Sequence, residues 1–95
     1  MKKRLKKNDA ITVIGKRWFD KINGNTYHSA KVYVNGDQMG YKPFVYGYDD
    51  SYKQTGLEIL KEVYNIPGEV TMLWNLKKHG INLVTSVSDV LKRDL

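Results

Sequence analysis

Hydrophobic and polar residues alternate most cleanly from Thr26 to Val34, where Ala30, Val32 and Val34 fall on one side and Tyr27, Ser29, Lys31 and Tyr33 on the other. A period of two marks a half-buried β-strand. Ala10 to Phe19 reads as a strand before it, rich in β-branched residues over Ile11, Thr12, Val13 and Ile14. Met39 to Tyr46 reads as a strand after it. Asn23-Gly24 and Asn35-Gly36 separate the three, and Asn-Gly supplies the positive φ angles that a type I′ hairpin turn requires. Pro43 brings no N–H to a ladder, so the third strand is expected at a sheet edge or with a bulge at that point.

The period changes after Gly47. Asp50 or Ser51 is placed to cap a helix running to about Tyr64, with Tyr52, Leu57, Leu60, Val63 and Tyr64 as its apolar stripe. Gly56 in mid-helix costs about 1 kcal/mol against alanine, which points to close packing of the helix on the sheet. Asn65-Ile66-Pro67-Gly68 ends that helix. Glu69 to His79 reads as a second one, with Val70, Leu73 and Trp74 inward and Gly80 just past its end. Ile81 to Val90 is the last strand; neither of its faces is distinctly apolar, and its pairing partner stays open. The expected fold is therefore α+β: a two-layer sandwich in which an antiparallel three-stranded meander is followed by two helices and a final strand, β-β-β-α-α-β.

Length and charge sharpen this picture. Ninety-five residues suffice for one domain; residues 10–95 form it, and residues 1–9 precede it as a flexible basic arm. The absence of cysteine excludes a disulfide scaffold or a thiolate metal site and fits a reducing, cytoplasmic setting. The apolar run Ile11–Ile14 is too short for a signal segment or a membrane span. The formal net charge is +6, and Lys2, Lys3, Arg4, Lys6 and Lys7 supply most of it. Such a balance favours a polyanion or an acidic protein surface as partner.

Motifs for catalysis or metal binding are missing. Asp20 to Lys31 has the outline of a calcium loop, but its glycine comes one position early and Lys31 stands where the bidentate glutamate belongs. Gly15-Lys16-Arg17 lacks the upstream glycine and the following Ser or Thr of a phosphate loop. His28 has no acid or nucleophile at a fixed spacing, so it reads as a half-buried histidine whose ring bonds a neighbouring strand, and His79 as a helix C-terminal cation or solvent-facing residue. No catalytic residue, metal or cofactor is expected.

Binding is the better-supported class. With Ala30, Val32 and Val34 turned to the helices, Tyr27, Lys31 and Tyr33 stand on the open sheet face, and aromatics interleaved with cations there can stack bases and neutralise phosphates. Tyr41 and Lys42 extend that surface if the register allows. Lys16, Arg17 and the arm residues add phosphate contacts. The competing use of the same tyrosines is plain cross-strand pairing. Of Trp18 and Phe19, one points outward if the strand alternates, whereas a bulge turns both inward.

Arg17-Trp18-Phe19, Gly24-Asn25-Thr26-Tyr27-His28-Ser29 and Val32-Tyr33-Val34-Asn35-Gly36, continued through Pro43-Phe44, Tyr46-Gly47-Tyr48 and Ser88-Asp89-Val90, resemble small uncharacterised proteins encoded by bacteriophages and prophages. The resemblance implies a phage-type accessory protein in a bacterial cytoplasm. It carries no activity, so it assigns no site residue. The leading expectation is a non-enzymatic protein that binds DNA or RNA through the arm and the open face. The alternative is a module that modulates a host enzyme, with Trp18, Phe19 and Tyr48 as anchors. Both accommodate a monomer or a homodimer, although a third strand carrying Pro43 opposes sheet extension on its side.

Overall fold

The computed structural model describes residues 2–95; Met1, the first residue of the expected arm, lies outside the described residues. In chain order the elements are β1 (Lys3–Arg4), β2 (Ala10–Asp20), β3 (Asn25–Val34), β4 (Asp37–Tyr46), α1 (Ser51–Val63), β5 (Tyr64–Asn65), a 3-10 helix (Leu73–His79), β6 (Asn82–Asp89) and a short 3-10 turn (Lys92–Asp94). The chain is α+β, but the expected order β-β-β-α-α-β with a three-stranded meander is corrected at three points.

First, four strands precede the helix. The basic segment contributes β1, which pairs in parallel with β5 at the end of α1. Second, the main sheet has four strands in the order β4-β3-β2-β6, and β6 joins β2 in parallel, so the sheet is mixed. Third, there is one α-helix among the described residues. The second expected helix forms only over Leu73–His79, and as a 3-10 helix. Its N-terminal part is spent otherwise: Val70 N–H bonds the Pro67 carbonyl and the Asn75 side chain accepts from the N–H groups of Thr71 and Met72. What remains is too short to gain much from i→i−4 bonding. Gly80 ends it at φ 79°, its N–H directed at the carbonyls of Leu76 and Lys77.

Asn35 (φ 51°) and Gly36 (φ 87°) form the β3–β4 turn. Asn35 also closes onto the start of β2: its Oδ1 accepts the Ala10 N–H at 2.8 Å and its Nδ2 donates to Asp9 at 3.1 Å. β4 is an edge strand, and its register shifts between the partners of His28 and Ala30, where Pro43 and Phe44 bulge out of the ladder.

α1 packs on one face of the sheet, over β2, β3 and β4. The core joins Ile11, Val13, Ala30, Val32 and Val34 from the strands to Tyr52, Leu57, Ile59 and Leu60 from α1. A Cβ at Gly56 would stand 2.8 Å from Val13 Cγ1, and one at Gly15 would stand 2.5 Å from the Tyr52 ring. Both glycines let helix and sheet approach closely enough to exclude water. Asp50 occupies the N-cap of α1 without capping it, and its carboxylate lies 3.7 Å from Lys53 instead. Among the described residues no helix is long and apolar enough to cross a membrane.

Candidate functional site on the open sheet face

Strand alternation divides the chemistry between two faces. On β2, Ile11, Val13 and Gly15 turn toward α1, so Thr12, Ile14, Lys16 and Trp18 turn away. The β2–β3 register sets Lys31 opposite Ile14, Tyr33 opposite Thr12 and Tyr27 opposite Trp18. Residues facing each other across a ladder share a face, so Lys16, Tyr27, Lys31 and Tyr33 come together on the side without a helix. Lys16, Lys31, Tyr33 and Tyr41 line one depression there, of about 260 Å³.

The far end of this face is aromatic. Trp18 stacks on Tyr27 with ring centroids 5.9 Å apart. Phe44 lies 4.9 Å from Tyr27 and 6.1 Å from Trp18. Tyr46 meets Tyr27 edge-on at 5.8 Å. The bulge explains Phe44: at φ 56° it has the left-handed backbone that a bulky side chain rarely adopts, and the kink turns its ring onto the sheet. Phe44 and Tyr46 remain 47% and 65% exposed, so their rings still offer surface to a ligand.

The chain's last residues cross the same face. Lys92 Nζ sits 5.4 Å from the Trp18 ring centroid and 5.9 Å from that of Phe44, within cation–π range. Lys16 Nζ donates to the Asp94 carbonyl at 3.2 Å, and the Tyr41 hydroxyl to the Leu95 carbonyl at 3.1 Å. Lys31 Nζ lies 5.4 Å from the Tyr41 ring. Near this end Asp20 accepts from the Asn23 side chain at 2.8 Å, which, with the Ile22 and Asn23 N–H groups, holds its carboxyl below the ordinary range.

Other residues expected to act here lie elsewhere. Arg17 faces the α1 side, where Nε bonds Asp89 at 3.0 Å and Nη1 bonds the Asp49 carbonyl at 3.2 Å. Lys42 pairs with Glu62 of α1 at 2.9 Å, and that pairing raises its pKa above the usual lysine value. The basic segment runs along the helix-bearing side. Lys2 Nζ donates to the Lys61 carbonyl at 2.6 Å, Lys3 and Arg4 form β1, the Lys6 N–H donates to Asp9 at 2.7 Å, and Lys7 lies against Gly80. The three alternative anchors separate as well. Trp18 is on the open face, the adjacent Phe19 alternates to the other face at 53% exposure, and Tyr48 lies in the loop before α1.

His28 takes no part in the open face. It is buried and bridges three elements, with Nδ1 3.1 Å from the Gly47 carbonyl and Nε2 2.6 Å from Thr55 Oγ1. A carbonyl only accepts, so Nδ1 donates to Gly47, while the Thr55 hydroxyl, which bonds Nε2, also reaches the Ser51 carbonyl at 3.4 Å. His79, the last residue of the 3-10 helix, stands 3.2 Å from Glu69 in the segment before that helix.

Sequence reasoning passed over Phe44, Tyr46 and Lys92. The signal for the first two was Pro43: a bulge there resets the alternation of β4 and returns Phe44 and Tyr46 to the face of Tyr41. Nothing local marks Lys92, which arrives by a long-range fold of the chain end. Set against known proteins, the chain matches no family model, no curated protein and no solved structure.

Proposed function

We propose that the open sheet face binds single-stranded nucleic acid without strong base preference. The observation that carries the reading is the juxtaposition of exposed rings (Phe44, Tyr46 and Tyr41) with Lys16, Lys31 and Lys92 on the sheet face away from α1, which the last residues of the chain cross. Every base has a π-face, so stacking on such rings tolerates any sequence, and lysines beside them neutralise the phosphates between stacked bases. Among the described residues the face offers no element that enters a duplex groove, which favours unpaired strands over a double helix. The basic segment lies on the opposite side and serves as long-range attraction rather than as part of the stacking surface. In this reading the protein is a non-enzymatic accessory factor in a bacterial cytoplasm, which the cysteine-free composition and the phage-type resemblance expected from the sequence suggest.

Fluorescence anisotropy with labelled single- and double-stranded DNA and RNA over a salt series tests this. Single strands are expected to bind with log K falling about 0.7 per neutralised phosphate against log salt. Tyr46→Ala, on an exposed edge-strand position, is expected to cost about 1–3 kcal/mol of binding, the value of one stacked base. Absence of single-strand binding at low salt, or binding indifferent to Tyr46, defeats the reading.

A further inference from the structure

The two edges of the main sheet are treated oppositely. β4 is guarded by Pro43, a left-handed Phe44 and two register shifts, the devices that stop an edge from pairing with another chain. β6 has none of them. Asn82–Asp89 contains no proline, no lysine and no bulge, and its register against β2 is unbroken from Asn82 to Arg17's partner Asp89. The Asn82 N–H donates to the carbonyl of Asp9, just before β2, and the Val90 N–H to that of Arg17 in β2. Alternation then commits the even-numbered residues inward and leaves the N–H and C=O of Leu83, Thr85 and Val87 pointing away from the sheet. The domain offers these groups no partner among the described residues.

We propose that β6 pairs antiparallel with β6 of a second copy, giving a closed two-fold dimer with one continuous sheet twice as wide. The unpaired groups fix the register. Thr85 stands opposite its symmetry mate and exchanges both hydrogen bonds with it, while Leu83 of each copy stands opposite Val87 of the other. In this register Asp89, which keeps its Arg17 partner within its own chain, stands opposite Ile81 of the other copy. The side chains agree. Leu83 and Val87 already lie against their own core, so pairing asks nothing more of them. Trp74 and Met72, joined by a 3.2 Å indole-to-sulfur contact, flank β6 on the helix-bearing side at 54% and 51% exposure. They border a groove of about 570 Å³ that also reaches Leu83 and Thr85. The two-fold brings both copies' Trp74 and Met72 over the seam, and on the other face it sets Val84, 61% exposed, opposite Ser86 of the mate. Apolar surface of this kind beside an open edge is what a stable interface removes from water. The guarded β4 edge stops growth at two copies, where an open edge on both sides would give a filament.

Sedimentation velocity on the full chain from micromolar to near-millimolar concentration, paired with amide hydrogen exchange by NMR, tests the dimer. The expected result is a monomer–dimer equilibrium without larger species, in which the amides of Leu83, Thr85 and Val87 gain protection as concentration rises. Those of Val84 and Ser86 are protected throughout. Thr85→Pro removes an outward N–H together with a half-buried side chain, whereas Val84→Lys changes only an exposed side chain. Each is expected to weaken dimerisation about ten-fold or more with the circular dichroism spectrum unchanged. If Thr85→Pro disturbs folding, Val84→Lys and the exchange pattern of the unmodified chain carry the test. A chain monomeric at the highest concentration, or a dimer in which the Leu83, Thr85 and Val87 amides exchange freely, overturns the proposal.

Discussion

His28 shows how one side chain can hold several elements. Its ring ties β3 to the Gly47 loop and to α1 through Thr55, and burial leaves water no access to either ring nitrogen. Thr55→Val keeps the shape of the partner and removes the hydroxyl, so Nε2 is left without a hydrogen bond. An unpaired buried polar group costs about 1–3 kcal/mol, and that loss is the expected outcome in urea unfolding. Thr55→Ser should recover most of it. A variant with valine as stable as the parent means that the ring finds another partner and that the 2.6 Å hydrogen bond contributes little. The sequence placed His28 in a strand, but the expected bond to a neighbouring strand is replaced by bonds to the Gly47 loop and to α1. Its full burial was not legible, because the groups that satisfy it lie 19 and 27 residues away.

At the scale of elements, the parts legible in the sequence are those with local causes. Asn35-Gly36 dictates its own turn, and the long period-2 run from Thr26 to Val34 dictates β3. Gly56 announces a close helix–sheet approach. Long-range causes were not legible. β1 exists only because β5 lies beside it, the parallel placement of β6 depends on the whole crossover, and the 3-10 helix reflects the capture of the Asn75 side chain by the preceding turn. The open face was half legible: β3 gave Tyr27, Lys31 and Tyr33, while the bulge in β4 concealed Phe44 and Tyr46.

One such long-range clasp predicts a pH dependence. Asp9 accepts from the Lys6 N–H and from the Asn35 side chain, and these bonds hold its carboxyl below the ordinary carboxylate range. With the folded value below the unfolded one, the folded state binds fewer protons between the two. The stabilisation is complete above about pH 4 and is lost as pH falls through the lowered value. Asp9→Asn should therefore be less stable than the parent at neutral pH, and the gap should close on acidification. Thermal unfolding of both chains from pH 7 to pH 2 reads this directly. The effect is small because the group is exposed and screened by solvent.

In the whole molecule the polar and aromatic surfaces are segregated. The basic segment, Arg17 and Lys42 serve the helix-bearing side; the rings and Lys16, Lys31 and Lys92 occupy the other; one sheet edge is guarded and one is open. The last residues connect these themes, because Lys92 covers Trp18 and Phe44, and Asp94 and Leu95 engage Lys16 and Tyr41. Removing residues 91–95 uncovers the Trp18 ring for stacking and frees the Lys16 ammonium. It also deletes two cations, Lys92 and Arg93. Stacking persists at high salt while phosphate neutralisation does not, so the two consequences separate in a salt series. Single-strand affinity of the shortened chain should rise at high salt, and the slope of log K against log salt should become shallower by about 0.7 for each phosphate that the deleted cations no longer neutralise. A fall in affinity at all salt concentrations means that the chain end contributes more to binding than it conceals. An unchanged curve at every salt concentration means that nucleic acid does not use the Trp18 and Phe44 rings.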